Sequence, residues 1–134
     1  MNQKKIDGEC LFCKTKKHQI VFENDLAYST YDSYPVSEMH CLIIPKRHVK
    51  DYFSLTQKEI IACNLLILDM KGNIEKKDNL VKGFNIGINS GKTAGQSIMH
   101  CHIHLIPRRD GDVKNPQGGV RGVIPSMQHY TKKL

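Results

Sequence analysis

The stretch His100-Cys101-His102-Ile103-His104-Leu105-Ile106-Pro107 decides how this chain is read. In an extended strand, residues i, i+2 and i+4 share one face. The alternation predicts a strand over 100–106, ended by Pro107. It sets three imidazoles on one face and turns Cys101, Ile103 and Leu105 into a core. The chain has 134 residues and seven histidines, so three at strict alternation over five positions point to a site. Near neutral pH an imidazole serves as nucleophile, proton carrier or metal ligand.

Working backward, residues 91–97 read as a glycine loop and 84–89 as a strand. Gly87-Ile88-Asn89-Ser90-Gly91-Lys92-Thr93 has three residues before its Gly-Lys-Thr, where a phosphate-binding P-loop needs four, and no clear helix follows. It is therefore not a P-loop, although backbone N–H groups of such a loop can still hold a phosphate. Thr56 with Glu59 forms a capping box, and Ile60, Cys63, Ile67, Met70 and Ile74 follow at helical spacing. Ile61, Leu65 and Leu68 widen that face. The expected helix covers 57–71, with Gly72 as a stop or kink. Cys41-Leu42-Ile43-Ile44 before Pro45 reads as a strand buried on both faces. Ile20–Glu23 and 26–31, joined through Asn24-Asp25, read as a hairpin. Hairpin, strand, helix, strand, strand make an α+β domain on an antiparallel sheet.

Length sets one domain over 1–134. Residues 108–134 form a loop-like tail with six basic and two acidic side chains. Apolar residues are 40% and charged residues 25%, enough for a core and against disorder. No apolar run approaches a membrane span, and the first residues carry no apolar leader, so a cytoplasmic protein without membrane partners is expected. The net charge of +7 favours an anionic partner. No run of five Lys or Arg exists, which disfavours nucleic acid and leaves a phosphorylated small molecule.

Of the five cysteines, Cys10 and Cys13 sit as Cys-x-x-Cys, half of a tetrahedral zinc site. An odd count argues against a disulfide framework. A redox pair would open a helix after a strand, whereas this pair precedes the first strand. Two further ligands must come from His18, His40, His48, His129 or one member of the triplet.

Gly95-Gln96-Ser97-Ile98-Met99-His100-Cys101-His102-Ile103-His104-Leu105-Ile106 resembles the signature of the histidine triad family. His40-Cys41-Leu42-Ile43-Ile44-Pro45-Lys46-Arg47-His48 resembles that family's other block. Asp32 lies eight residues before His40, like the family's ribose-binding acid, and Asn89 lies eleven before His100, like its phosphate-facing Asn. The resemblance covers about residues 8–109. It implies a five-stranded antiparallel sheet with one main helix, joined as a ten-stranded sheet in a homodimer, with the helix at or near the interface.

It also implies a nucleotide hydrolase or transferase. Its substrate would be a nucleoside monophosphate conjugate: a dinucleoside polyphosphate, a phosphoramidate, or an acyl- or sulfo-adenylate. His102 would be the nucleophile and His104 would stabilise phosphate charge, with His40 behind them. Asn89, Gly95, Gln96 and Ser97 would contact the phosphate side, and Asp32 the ribose. Cys10, Cys13, His48 and His100 would hold a structural Zn2+, making residues 1–18 a zinc-binding segment. No catalytic cofactor is implied. Met39 departs from the family pattern, standing where Gly is usual before this His; Met takes a positive φ only at a cost. The tail resembles that of a bacterial subgroup, and Arg108, Arg109 and Arg121 are candidates to meet polyphosphate.

Two other readings fit the same residues. One is a zinc hydrolase with His100, His102 and His104 as metal ligands. A flat strand opposes it, because i and i+4 lie about 13 Å apart, too far for one ion. The other is a zinc-binding module without activity.

Overall fold

The computed structural model describes residues 10–131. Five strands form one antiparallel sheet: β1 (Ile20–Glu23), β2 (Ala27–Tyr31), β3 (Cys41–Pro45), β4 (Val81–Ile88) and β5 (Ile103–Arg109). Their order is β1-β2-β3-β5-β4. One helix, α1 (Gln57–Lys77), packs across β1, β2 and β3. The parts of the N-terminal segment at 1–9 and of the tail at 132–134 lie outside the described residues.

The sheet has a different cover on each face. On one, Ala27, Cys41, Ile43, Ile103 and Leu105 meet Ala62, Cys63, Leu66, Met70 and Ile74 of α1. On the other, Tyr28, Leu42 and Ile44 pack with Cys10 and Phe12 of the N-terminal segment. All five residues of β3 are buried, as its unbroken apolar run requires. Leu42 pairs with His104, so His104 stands on the face away from α1.

α1 starts where the capping box places it. Thr56 Oγ1 accepts from the Glu59 N–H at 3.1 Å, and Glu59 Oε1 accepts from the Thr56 N–H at 2.9 Å. The helix does not stop at 71. Gly72 costs about 1 kcal/mol against Ala. Beyond it, fully buried Ile74 seals the core and Asn73 donates to the Tyr31 hydroxyl, so the helix continues to Lys77. The apolar face is also narrower than the spacing suggests. Glu59, Ala62 and Leu66 take the inner positions, while Ile61, Leu65 and Leu68 stay exposed.

β5 departs from its expected bounds at both ends. Pairing begins at Ile103, not His100, and runs through Pro107 to Arg109. Pro107 is tolerated because β3 pairs only with 103–105, so the proline's N faces no strand. Ser37 Oγ takes the Pro107 carbonyl there at 2.7 Å. β4 likewise begins at Val81, before Phe84, and ends at Ile88. The tail is irregular apart from short 3-10 turns at Gly119–Val123 and Pro125–Met127.

Candidate functional site

His100, His102 and His104 do not form a row of equals. The chain before β5 is bent, held by the Cys101 N–H on the Val49 carbonyl at 2.7 Å. Cys101, Ile103 and Leu105 are buried as expected. The three imidazoles go to three different partners.

His100 is fully buried and its Nε2–H donates to the Pro45 carbonyl at 2.8 Å. A carbonyl only accepts, so in the neutral ring Nδ1 keeps its lone pair. That Nδ1 lies 3.2 Å from His48 Nδ1, 3.4 Å from Cys10 Sγ and 3.5 Å from Cys13 Sγ. Cys13 Sγ is 3.2 Å from His48 Nδ1. A tetrahedral zinc ion with ordinary bond lengths would separate two nitrogens by roughly 3.3 Å and a nitrogen from a sulfur by roughly 3.6 Å. Two soft thiols and two imidazoles at this spacing fit zinc, and with four protein ligands the site is closed. His18 and His129 are not part of this group, nor is His40.

Phe12 lies between the two cysteines in sequence and packs edge-on against both His100 and His102, with centroids at 5.9 and 4.9 Å. It links the metal cluster to the next histidine. Its aromatic character inside Cys-x-x-Cys was the available signal in the sequence.

His102 is buried, and its Nδ1–H donates to the His100 carbonyl at 2.8 Å. Its Nε2 therefore carries the lone pair. His104 lies beside it, with centroids 5.3 Å apart. Behind His104, the tautomers are ordered by a backbone group. The Val36 N–H donates to His40 Nδ1 at 3.1 Å, so His40 carries its proton on Nε2. That Nε2–H lies 2.9 Å from His104 Nδ1 and 3.4 Å from Asp32 Oδ2. His104 thus accepts at Nδ1 and keeps a donor at Nε2. Burial, followed by the neighbouring His102 and His40, pushes the His104 pKa down to about 4. Burial also lowers His40, against the opposing pull of Asp32. Both rings are held neutral.

Asp32 spends Oδ1 on the Tyr34 N–H at 2.8 Å and turns Oδ2 toward His40 and His104. Met39 takes φ 68°, the conformation for which glycine is suited, and packs its side chain against the core. The turn before His40 thus takes a left-handed conformation with a non-glycine residue.

The glycine loop is built differently from its expected role. Gln96 is buried, and its amide accepts from the Gly91 N–H at 2.8 Å while donating to the Lys50 and Ile98 carbonyls. Its own N–H goes to the Gly91 carbonyl, and the Gly95 N–H goes to the Lys92 carbonyl. Both N–H groups are spent in shaping the loop in this structure. Asn89 and the exposed Ser97 keep their side-chain polar atoms without a hydrogen-bond partner among the described residues.

The arginines of the tail are also committed. Arg108 makes a two-point pair with Asp112 at 2.8 Å and donates to Asn85 Oδ1 at 2.7 Å. Arg109 binds Asp78 and the Glu38 carbonyl. Arg121 binds the Gln128 and Met127 carbonyls and lies over the Tyr130 ring. Arg109 and Arg121 are structural clamps rather than free cations.

The HIT domain sequence model matches residues 14–111. The chain belongs to the HIT domain family. Adenosine 5'-monophosphoramidase HNT1 of Saccharomyces cerevisiae is 34% identical over 109 residues, covering 78% of this chain and 66% of the relative. Adenylylsulfatase HINT3 of Arabidopsis thaliana is 32% identical over 80% of this chain and 56% of its own. AP-4-A phosphorylase of Mycobacterium tuberculosis is 32% identical over 86% of this chain and 60% of its own. Among solved structures, a Zn-bound histidine triad protein from Mycobacterium smegmatis superimposes with TM-score 0.71 at 27% identity, covering 79% of each chain. A HIT family protein from Bacillus anthracis gives TM-score 0.71 at 28% identity, covering 89% of this chain and 94% of that one. Both support a HIT fold built on one helix and a five-stranded sheet.

Proposed function

We propose that this HIT protein is a nucleotide hydrolase or transferase that cleaves nucleoside monophosphate conjugates at the α-phosphate through a covalent nucleotidyl group on His102. The observation that carries this is the tautomer of His102: the His100 carbonyl holds its Nδ1–H and leaves Nε2 as the lone-pair atom. In the first step the Nε2 lone pair forms a bond to phosphorus. The bond from phosphorus to the leaving group breaks, and its electron pair departs with that group. The ring becomes cationic, and the carbonyl at Nδ1 stabilises it. In the second step water attacks phosphorus and loses a proton to solvent, and the N–P electron pair returns to Nε2. Inorganic phosphate in place of water would make the reaction a phosphorolysis, consistent with the name of one relative.

His104 donates from Nε2 to the phosphoryl oxygens as charge develops there. His40 is a positioning residue, which fixes the His104 ring through Nε2–H. Asn89 and Ser97 supply side-chain donors to the phosphate, and Asp32 is the candidate acceptor for ribose hydroxyls. Cys10, Cys13, His48 and His100 would hold zinc, whose contribution when bound is structural: it ties the N-terminal segment to the strand that carries His102 and His104. None of the five cysteines forms a disulfide, which suits a reducing compartment such as the cytoplasm. β4 is an edge strand with exposed Ile86, and α1 exposes Ile61, Leu65 and Leu68. These surfaces support a homodimer in which two sheets join edge to edge.

The test is turnover of AMP phosphoramidate, adenosine 5'-phosphosulfate and diadenosine tetraphosphate by wild type and His102→Ala. The expected result is loss of all turnover in the variant and brief insensitivity of the wild type to a chelator. Turnover that survives His102→Ala, or that stops at once with chelator and returns with zinc, contradicts the proposal. Against a metal shared by the triplet stands His100, which turns one ring nitrogen to the Pro45 carbonyl and the other to Cys10, Cys13 and His48.

A further inference from the structure

β3 pairs with β5 only over 103–105, so the rest of β5 lacks a strand on that side. The loop between β2 and β3, residues 32–40, meets it instead. Two contacts anchor this loop to β5. Ser37 Oγ donates to the Pro107 carbonyl at 2.7 Å, and Arg109 donates to the Glu38 carbonyl at 3.0 Å. At the loop's base, the Asp32 N–H donates to the His40 carbonyl at 2.9 Å. Tyr34, Pro35 and Val36 are exposed, so hydrogen bonds rather than packing hold this part of the loop.

Ser37 stands at the centre of these contacts. Its hydroxyl reaches β5, and its carbonyl accepts from the His40 N–H at 3.0 Å. Beside it, the Val36 N–H donates to His40 Nδ1 at 3.1 Å. Across that ring, His40 Nε2 lies 2.9 Å from His104 Nδ1. His104 and Pro107 both belong to β5. A circuit of hydrogen bonds therefore leaves β5 at Pro107, passes through Ser37, Val36 and His40, and returns to β5 at His104.

Two neutral proton arrangements satisfy the contact between His40 and His104. In one, both rings carry the proton on Nε2, and His40 donates to His104. In the other, both carry it on Nδ1, and His104 donates to His40. The second sets the His40 Nδ1–H against the Val36 N–H, two donors facing each other. It also removes the N–H that faces Asp32 Oδ2 at 3.4 Å. At His104 it puts a lone pair on Nε2 in place of a donor. We infer that Ser37 is a positioning residue: its hydrogen bond to the Pro107 carbonyl holds the Val36 N–H on His40, and this keeps the His104 Nε2–H available to the phosphoryl oxygens. The inference rests on the proposed role of His104 and adds the residue that selects its tautomer. The Ser37 hydroxyl acts through the backbone, since it is spent on a carbonyl.

The experiment compares wild type, Ser37→Ala and Ser37→Thr by nitrogen NMR of the histidine rings and by turnover of AMP phosphoramidate, both at neutral pH. Wild type should show His40 and His104 protonated on Nε2. In Ser37→Ala both rings should shift toward the Nδ1–H arrangement. Its kcat should fall about fivefold, roughly 1 kcal/mol or one ordinary hydrogen bond, with KM changed by less than about twofold. Ser37→Thr keeps a hydroxyl and should restore both readings. A merely structural role would lower the Tm of Ser37→Ala and leave the tautomers where they are. Tautomers in Ser37→Ala equal to those of wild type, or an unchanged kcat, overturn the inference. A threonine variant that behaves like the alanine variant also overturns it. A wild type that turns over no AMP conjugate refutes the functional reading, while the spectra still decide whether Ser37 selects the tautomer.

Discussion

Replacing Glu59 by Ala should loosen the candidate zinc site from outside it. Glu59 is buried at the start of α1 and does two jobs. It closes the capping box with Thr56, and it takes both Nε and Nη2 of Arg47 at 2.8 Å. Arg47 immediately precedes His48, so this pair sets the path of a proposed zinc ligand. The Arg47 hydrogen bonds are the main cause that lowers the Glu59 carboxyl from 4.5 to about 2. That shift corresponds to about 3 kcal/mol in favour of the charged form. Arg47 is 54% exposed, so water recovers part of its solvation when the pair breaks. The net cost expected at pH 7 is about 2 kcal/mol, or roughly 6–8 °C in Tm for a domain of this length.

The sign of the pH dependence follows from the lowered pKa. The contribution is complete above the ordinary carboxylate range and disappears as the pH falls through about 2. Thermal melts of wild type and Glu59→Ala at pH 7 and pH 3, with zinc content measured alongside, provide the assay. The variant should melt lower at pH 7, release zinc to a chelator faster, and approach wild type at pH 3. A Tm within 1 °C of wild type at pH 7, or a gap that is undiminished at pH 3, would refute the reasoning.

Other outcomes follow from the same structure. Gln96→Ala removes three hydrogen bonds that hold the glycine loop together and tie it to Lys50, and should cost about 2–3 kcal/mol in urea unfolding, with KM rising more than kcat falls; an unchanged KM would deny the loop a part in binding. His40→Gln should lower kcat by roughly 10–100-fold with a smaller change in KM, because it frees the His104 ring; a pure KM effect would contradict a positioning role. NMR titration of His104 should show a midpoint near 4. Since the fold holds that ring neutral where an unfolded chain would charge it, stability from this group is complete above the ordinary histidine range and is lost as pH falls toward about 4. A midpoint near 6.5 would refute its burial as the dominant influence.

The sequence carries the fold where local chemistry is sufficient. Thr56 and Glu59 announce the start of α1, and the unbroken apolar run of β3 announces burial on both faces. It fails where a distant partner decides. The resemblance names Cys10, Cys13, His48 and His100 together, but the alternation at 100–104 does not show that turning the His100 ring to those distant partners shortens the expected strand to Ile103. Gly72 suggests an end to the helix, but Ile74 finds a core made by other strands. Gly95 and Gln96 suggest phosphate donors, but the loop uses their N–H groups itself. Arg108 has its carboxylate four residues away at Asp112, a pairing that spacing alone makes available; the Asp78 partner of Arg109 comes from the turn between α1 and β4, thirty-one residues away. The roles of His102 and His104 were suggested by their motif, whereas their tautomers depend on backbone groups that no motif displays.

The most direct test of covalent histidine catalysis is intact-mass analysis of the protein, quenched without acid during turnover of an AMP conjugate, followed by mapping of the modified residue. An adduct of one nucleoside monophosphate on His102 is expected in wild type, absent in His102→Ala, with the same yield after brief exposure to chelator. Turnover with the adduct on another residue, or undiminished turnover by His102→Ala, would contradict it.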